Sequence, residues 1–162
     1  MYIGRQSRPF KHSKVLMKAL GFTQTEYVVF AHGGAGYCIS RGLANAMAPF
    51  AANGSFSNLQ HKYIDEMEDV VMGYLVRNLL HYNPLESKLF NSHYHQSDLQ
   101  NMPIEELPKQ VTLSYSMRDN VRVNISESSP GVKIAFGLDE DPTRFLTIHC
   151  YIFPDNCPKY ID

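Results

Sequence analysis

A run of small residues, Ala31-His32-Gly33-Gly34-Ala35-Gly36, dictates the path of the chain on either side of it. Before it stands Tyr27-Val28-Val29-Phe30, whose β-branched and aromatic side chains predict a buried strand. After it comes Ser40, placed to cap a helix from Arg41 to about Phe50. Two readings of the turn stand side by side. It is a tight strand-to-helix connection, or small residues let the backbone approach a ligand and offer N–H groups to an anion or a sugar oxygen. The glycine spacing does not fit the dinucleotide-binding pattern.

The clearest helix runs from about Glu66 to His81. Val71, Leu75 and Leu79 recur at a spacing of four, with Met72 and Val76 beside them. Asp65, Glu66, Glu68 and Asp69 crowd its start, where the helix dipole favours negative charge. Glu68 and Asp69 therefore read as dipole partners, or as a carboxylate pair able to take a proton from an attacking hydroxyl. A shorter helix is predicted over Ser13–Leu20, stopped by Gly21. Residues 1–12 read as polar and irregular, 51–60 as loop, and 82–110 mostly as loop broken by Pro84, Pro103 and Pro108. Beyond 110 the pattern turns to period two: Val111, Leu113 and Tyr115; Val121, Val123 and Ile125; Val132, Ile134 and Phe136; then Phe145 through Cys150. These predict β segments, hence one mixed α/β domain with a β-rich second half. On an extended segment the rings of His93 and His95 would face one side as a metal pair.

With 15 Lys+Arg against 16 Asp+Glu, the chain lacks the basic excess of a nucleic-acid binder. At 44% hydrophobic and 19% charged residues it is not of the disordered class, and 162 residues suffice for one core. No apolar run approaches the roughly 20 residues of a membrane span, and no signal peptide is expected at Met1-Tyr2-Ile3-Gly4-Arg5. Cys-x-x-Cys, a phosphate-binding Gly-Lys-Ser and a serine-hydrolase elbow are missing. Two sequons occur, Asn53-Gly54-Ser55 and Asn124-Ile125-Ser126. Three cysteines, Cys38, Cys150 and Cys157, leave at least one without an intrachain partner. Cys150 and Cys157 flank Phe153-Pro154-Asp155. That short loop either closes as a disulfide, worth ~2–3 kcal/mol, or leaves two thiols.

Taken in order, the segments resemble the Fringe family, β1,3-N-acetylglucosaminyltransferases that extend O-linked fucose on epidermal-growth-factor-like repeats of Notch. Phe30 to Ala44 resembles its Gly-Gly-Ala-Gly segment, and Glu68-Asp69-Val70-Val71-Met72-Gly73-Tyr74-Leu75-Val76 its acidic pair followed by Gly-Tyr. Leu89-Phe90-Asn91-Ser92-His93 is similar to its Leu-Phe-His-Ser-His. Gln110-Val111-Thr112-Leu113-Ser114-Tyr115 and Asp141-Pro142-Thr143-Arg144-Phe145 through Ile148-His149-Cys150 follow the family nearly letter for letter. The related β1,3-galactosyl- and glucosyltransferases share the first two motifs, and the Thr-Leu-Ser-Tyr and His-Cys segments favour Fringe within that group.

The resemblance implies a GT-A glycosyltransferase fold, of which this is the C-terminal, acceptor-side portion with a mixed sheet and flanking helices. It implies a UDP-N-acetylglucosamine donor, Mn²⁺, an O-fucosylated EGF-like acceptor, inversion in one in-line displacement, and a complete protein anchored in the Golgi membrane facing the lumen. By the same resemblance Asp69 is the catalytic base with Glu68 beside it. Gly33, Gly34, Ala35 and Gly36 line the sugar and acceptor pocket. His93 is the metal ligand, Cys150–Cys157 a disulfide.

The sequence departs from the family pattern at Glu68 (usually Asp), at Asn91 (the first His of the pair) and at His32 (Thr before Gly-Gly), which bears on donor selectivity. The nucleotide-binding half with its Asp-x-Asp is expected to lie upstream, together with the cysteine that would pair Cys38. The alternatives are a galactosyl- or glucosyltransferase of the same superfamily, and a non-catalytic truncated remnant.

Overall fold

The computed structural model describes residues 1–11, 27–52, 68–116, 123, 125, 129, 131–134 and 136–157. The chain is mixed α/β and divides into two compact units, Met1–Phe90 and Asn91–Asp162. The helix expected at Ser13–Leu20, the sequon at Asn53, the Asn124 and Ser126 of the other and the loop from Asn53 to Gln60 lie outside the described residues.

The first unit carries the sheet. β1 (Tyr2–Gly4) is its central strand, antiparallel to β4 (Tyr37–Ile39) and parallel to β5 (Leu85–Glu86). β2 (Phe10–Lys11) pairs antiparallel with β3 (Tyr27–Val28). Residues 1–12 were expected to be irregular, so β1 and β2 are corrections. Tyr2 and Ile3 are good strand formers, but three residues are too few to show a period. The strand expected over Tyr27–Phe30 ends as β3 at Val28, yet the ladder resumes beyond it. Gln6 bridges Ala31, Ser7 N donates to Phe30 O at 2.7 Å, and His32 N to Arg5 O at 2.8 Å.

Ser40 does cap α1 (Arg41–Ala51), its Oγ accepting from Leu43 N at 3.4 Å, and Leu43 and Met47, one turn apart, are buried. α2 is described from Glu68 to Tyr74 and continues as a π-helical turn over Leu75–Leu79. The wider turn closes with Leu80 N bonded to Leu75 O at 3.0 Å and Tyr82 N to Val76 O at 2.9 Å. Between them His81 takes the left-handed conformation, φ 58°. Tyr2, Ala31, Leu43, Leu75 and Val76 form one buried cluster; Val28, Phe30, Val70, Val71 and Tyr74 form a second.

The second unit corrects the β-rich expectation: among its described residues no strand forms. Instead α3 (Gln96–Gln100) and a 3₁₀ helix (Ile104–Lys109) occupy the stretch read as loop. Phe145–Ile152, read as period two, is the helix α4. Buried Thr147 and Ile148, with half-buried Tyr151 and Ile152 one turn on, give it a helical rather than an alternating face. A buried carboxylate starts it. Asp141 Oδ2 accepts from Thr147 N at 2.8 Å and Thr147 Oγ1 at 2.7 Å, and Oδ1 from Leu146 N at 3.3 Å. N–H groups that an α-helix leaves unpaired at its start are thus satisfied, so β-favouring residues are accommodated in a helix. Leu99, Leu107, Val123, Ile125 and Ile148 form the core of the unit. Val111–Tyr115 and Val132–Ile134 run without strand pairing; Val132 and Ile134 are half-buried on either side of exposed Lys133, whereas Val111 and Tyr115 are exposed. Cys150 and Cys157 are joined by a disulfide and pack with Phe136, whereas Cys38 on β4 is an exposed thiol.

Candidate active site

The small-residue turn and the acidic pair meet within the first unit. Gly33–Ala35 forms one turn of 3₁₀ helix, closed by Ala35 N to His32 O at 3.0 Å and Gly36 N to Gly33 O at 2.9 Å. Gly36 leaves it at φ 75°, a conformation open to glycine and costly for other residues. With its C-terminal bonds made internally, the turn presents the Gly33 N–H outward, to Asp69. Asp69 Oδ2 accepts it at 2.8 Å, across 36 positions of sequence, and Oδ1 accepts from Val70 N at 2.9 Å.

The meeting depends on two close approaches. Gly73, one turn beyond Asp69, lies against the 29–30 backbone: a Cβ there would come within 2.8 Å of Phe30 Cα and Val29 O. At the other end, a Cβ on Gly33 would stand 3.0 Å from Glu68 Oε1 and 3.3 Å from Asp69 Cβ. Asp69 is only 7% exposed, whereas Glu68 lies open.

Two phenols complete the surroundings. Tyr2 is buried, its Oη accepting from Ala31 N at 2.9 Å, and its ring meets the half-buried Tyr37 edge-on at 5.3 Å. Burial, first, and then the charges of Glu68 and Asp69 raise Tyr37 above the ordinary phenol range. Tyr2 is raised by burial against the opposing bond from Ala31, with Tyr37 and Asp69 adding. Neither tyrosine, nor Gly73, was singled out from sequence as part of this site. Tyr37 directly follows the glycine turn and Gly73 follows the acidic pair in the quoted motifs, the one signal that could have found them.

Chemically, a carboxylate oxygen has two lone-pair sites. One main-chain bond to each Asp69 oxygen orients the group and leaves capacity to accept a hydroxyl proton. Ala35 is buried, Gly33 and Gly36 are partly exposed and Gly34 is open, so the turn offers backbone rather than side chains at its surface.

His93 belongs to the second unit. The extended His-Tyr-His expected from sequence is a turn instead, followed by α3, so the two rings are not a same-side strand pair. His93 is half-buried with its ring 4.1 Å from that of Tyr94. His95 Nδ1 is engaged locally, 3.1 Å from both Ser92 N and Ser92 Oγ. Asn91 fixes the approach to this turn: its N–H donates to Thr112 Oγ1 at 3.0 Å, and its side-chain amide to Gln110 Oε1 at 2.9 Å and Thr112 O at 3.0 Å. Among the described residues no three His, Cys, Asp or Glu side chains gather as a metal-holding group. A groove of about 290 Å³ in the same unit is lined by Leu107, Val111, Leu113, Phe145, Ile148 and Phe153, among others, and by none of the expected site residues. Among the described residues no helix is long and apolar enough to cross a membrane.

A family model described as Fringe-like matches residues 1–156. The chain is 40% identical to the β-1,3-N-acetylglucosaminyltransferase lunatic fringe of Danio rerio over 169 aligned positions, covering 99% of this chain and 41% of that protein. It is 44% identical to lunatic fringe of Homo sapiens over 132 positions (80% of this chain, 33% of the relative). It is 42% identical to radical fringe of Notophthalmus viridescens over 131 (80% and 31%). The chain thus spans about two fifths of the length of these curated relatives, or less.

Proposed function

The chain belongs to the Fringe-like family, and on that footing we propose that it forms one Fringe-like domain, the acceptor-side portion of a GT-A glycosyltransferase. The complete enzyme transfers N-acetylglucosamine from UDP-N-acetylglucosamine, with inversion, to O-linked fucose on EGF-like repeats. The relatives' names support N-acetylglucosaminyl transfer over the galactosyl or glucosyl alternatives. One observation carries the reading: the Asp69 carboxylate is seated by the Gly33 amide at 2.8 Å, so the acidic pair and the glycine turn share one surface.

In this reading Asp69 is the general base. The acceptor hydroxyl hydrogen-bonds to a carboxylate oxygen and passes its proton there as its oxygen bonds to the anomeric carbon. UDP departs from the opposite face, which inverts that carbon. Glu68 adds negative charge beside the base, and the Gly33–Gly36 turn lies against the acceptor sugar. Mn²⁺ would supply charge stabilisation of the leaving diphosphate, with His93 as one ligand. A single imidazole does not hold the ion, and the described residues add no cluster to it. The complete protein would work anchored in the Golgi membrane, facing the lumen.

The test is transfer by the complete enzyme to an O-fucosylated EGF-like repeat. Asp69→Asn should lower turnover by about 10²–10⁴-fold while leaving UDP binding in place. Retained turnover would remove Asp69 from this role.

A further inference from the structure

α2 touches the segment that leads into the glycine turn at two points. Gly73 lies against the Val29–Phe30 main chain, and Asp69 reaches the Gly33 amide. The two stand four positions apart on the helix, so they project from one face. Phe30 and Gly33 stand three positions apart on the opposing segment. The atoms crowding position 73 are mostly backbone, and backbone cannot swing aside as a side-chain tip can. We infer that Gly73 is a positioning residue for Asp69: its missing side chain sets the spacing between helix and segment, and that spacing sets the reach of the carboxylate. The consequence for catalysis rests on the reading of Asp69 as base; the geometry does not.

A methyl group at 73 needs the two backbones to part by roughly 1 Å to reach ordinary van der Waals separation. Parting by that much takes the 2.8 Å bond between Gly33 N and Asp69 Oδ2 beyond hydrogen-bonding range. One added methylene at position 69 extends the side chain by about one carbon–carbon bond, roughly 1.5 Å, and should bridge the widened gap.

Amide hydrogen exchange at Gly33, read by NMR on the 162-residue chain, tests this. Gly73→Ala should exchange Gly33 about 10–100-fold faster than the parent, as Asp69→Ala should, because a hydrogen bond to a charged acceptor is lost. Gly73→Ala combined with Asp69→Glu should recover most of the protection. Recovery separates positioning from general loosening, which a longer carboxylate would not repair. Unchanged exchange in Gly73→Ala, or faster exchange that Asp69→Glu fails to restore, overturns the inference. If Gly73→Ala does not fold, Asp69→Glu alone decides. In the unwidened gap the longer side chain should lose its seat and speed Gly33 exchange, and unchanged exchange again overturns the inference. Turnover is not read here, so failure of the base assignment in the transfer assay leaves these outcomes standing on their own.

Discussion

In residues 1–90 many of the ties that shape the site join main chain to main chain. β1 lies between β4 and β5, residues 5–7 bond residues 30–32, and Gly73 brings helix backbone against the Val29–Phe30 backbone. In residues 91–162 the described ties run largely from side chains. Asp141 holds the start of α4, Asn91 stitches the turn of His93 to residues 110–112, and a disulfide joins the end of α4 to the turn after it. The difference teaches where each part is vulnerable. The first unit should be sensitive to added atoms at its close approaches, and the second to the removal of single polar or sulfur groups.

The largest expected effect is therefore in the second unit. Asp141→Ala leaves the Thr147 and Leu146 donors without their acceptor and should cost about 3–5 kcal/mol in urea unfolding. A cost below about 1 kcal/mol would break the contrast, and Asp141→Asn, which keeps an acceptor, should recover part of the loss. Next, Cys150→Ser should cost about 2–3 kcal/mol, the loop-closure value for a bridge spanning seven positions. An equal melting temperature with and without reductant would contradict it.

In the first unit the phenols give a pH signature. Tyr2 and Tyr37 are held above the ordinary phenol value of 10.0, burial being the first cause in both. The unfolded chain releases these protons at the ordinary value, the folded chain only higher. Stability is thus full below pH 10 or so and falls as pH rises further. Urea midpoints taken from about pH 9 to 11 should decline in the parent and less steeply in Tyr37→Phe; matching slopes would detach Tyr37 from the effect. The smallest effect is a gain: His81→Gly removes the steric cost of a side chain at φ 58° and should add about 1 kcal/mol.

Legibility from sequence followed the range of the interaction. The Ser40 cap was readable because donor and acceptor are three residues apart. The core of α2 was readable because its apolar period is local, although the widening into a π turn was not. The Gly33–Asp69 bond spans 36 positions, and only resemblance to a family placed the two together in advance. In the second unit, alternating apolar residues predict strands that do not form among the described residues. Helix Phe145–Ile152 shows why that failed: a carboxylate four residues ahead of it supplies the acceptors that its own composition gives no hint of. The His-Tyr-His triplet failed for a related reason, since Ser92 and Asn91 bend that stretch into a turn.

The seat of Asp69 is a peptide N–H, and every residue type but proline carries one. No exchange of side chain at position 33 short of proline can delete that donor. Divergence can only bring it nearer or push it away, so the location of this negative charge is inherited with the course of the chain, while the rim around it is free to change composition.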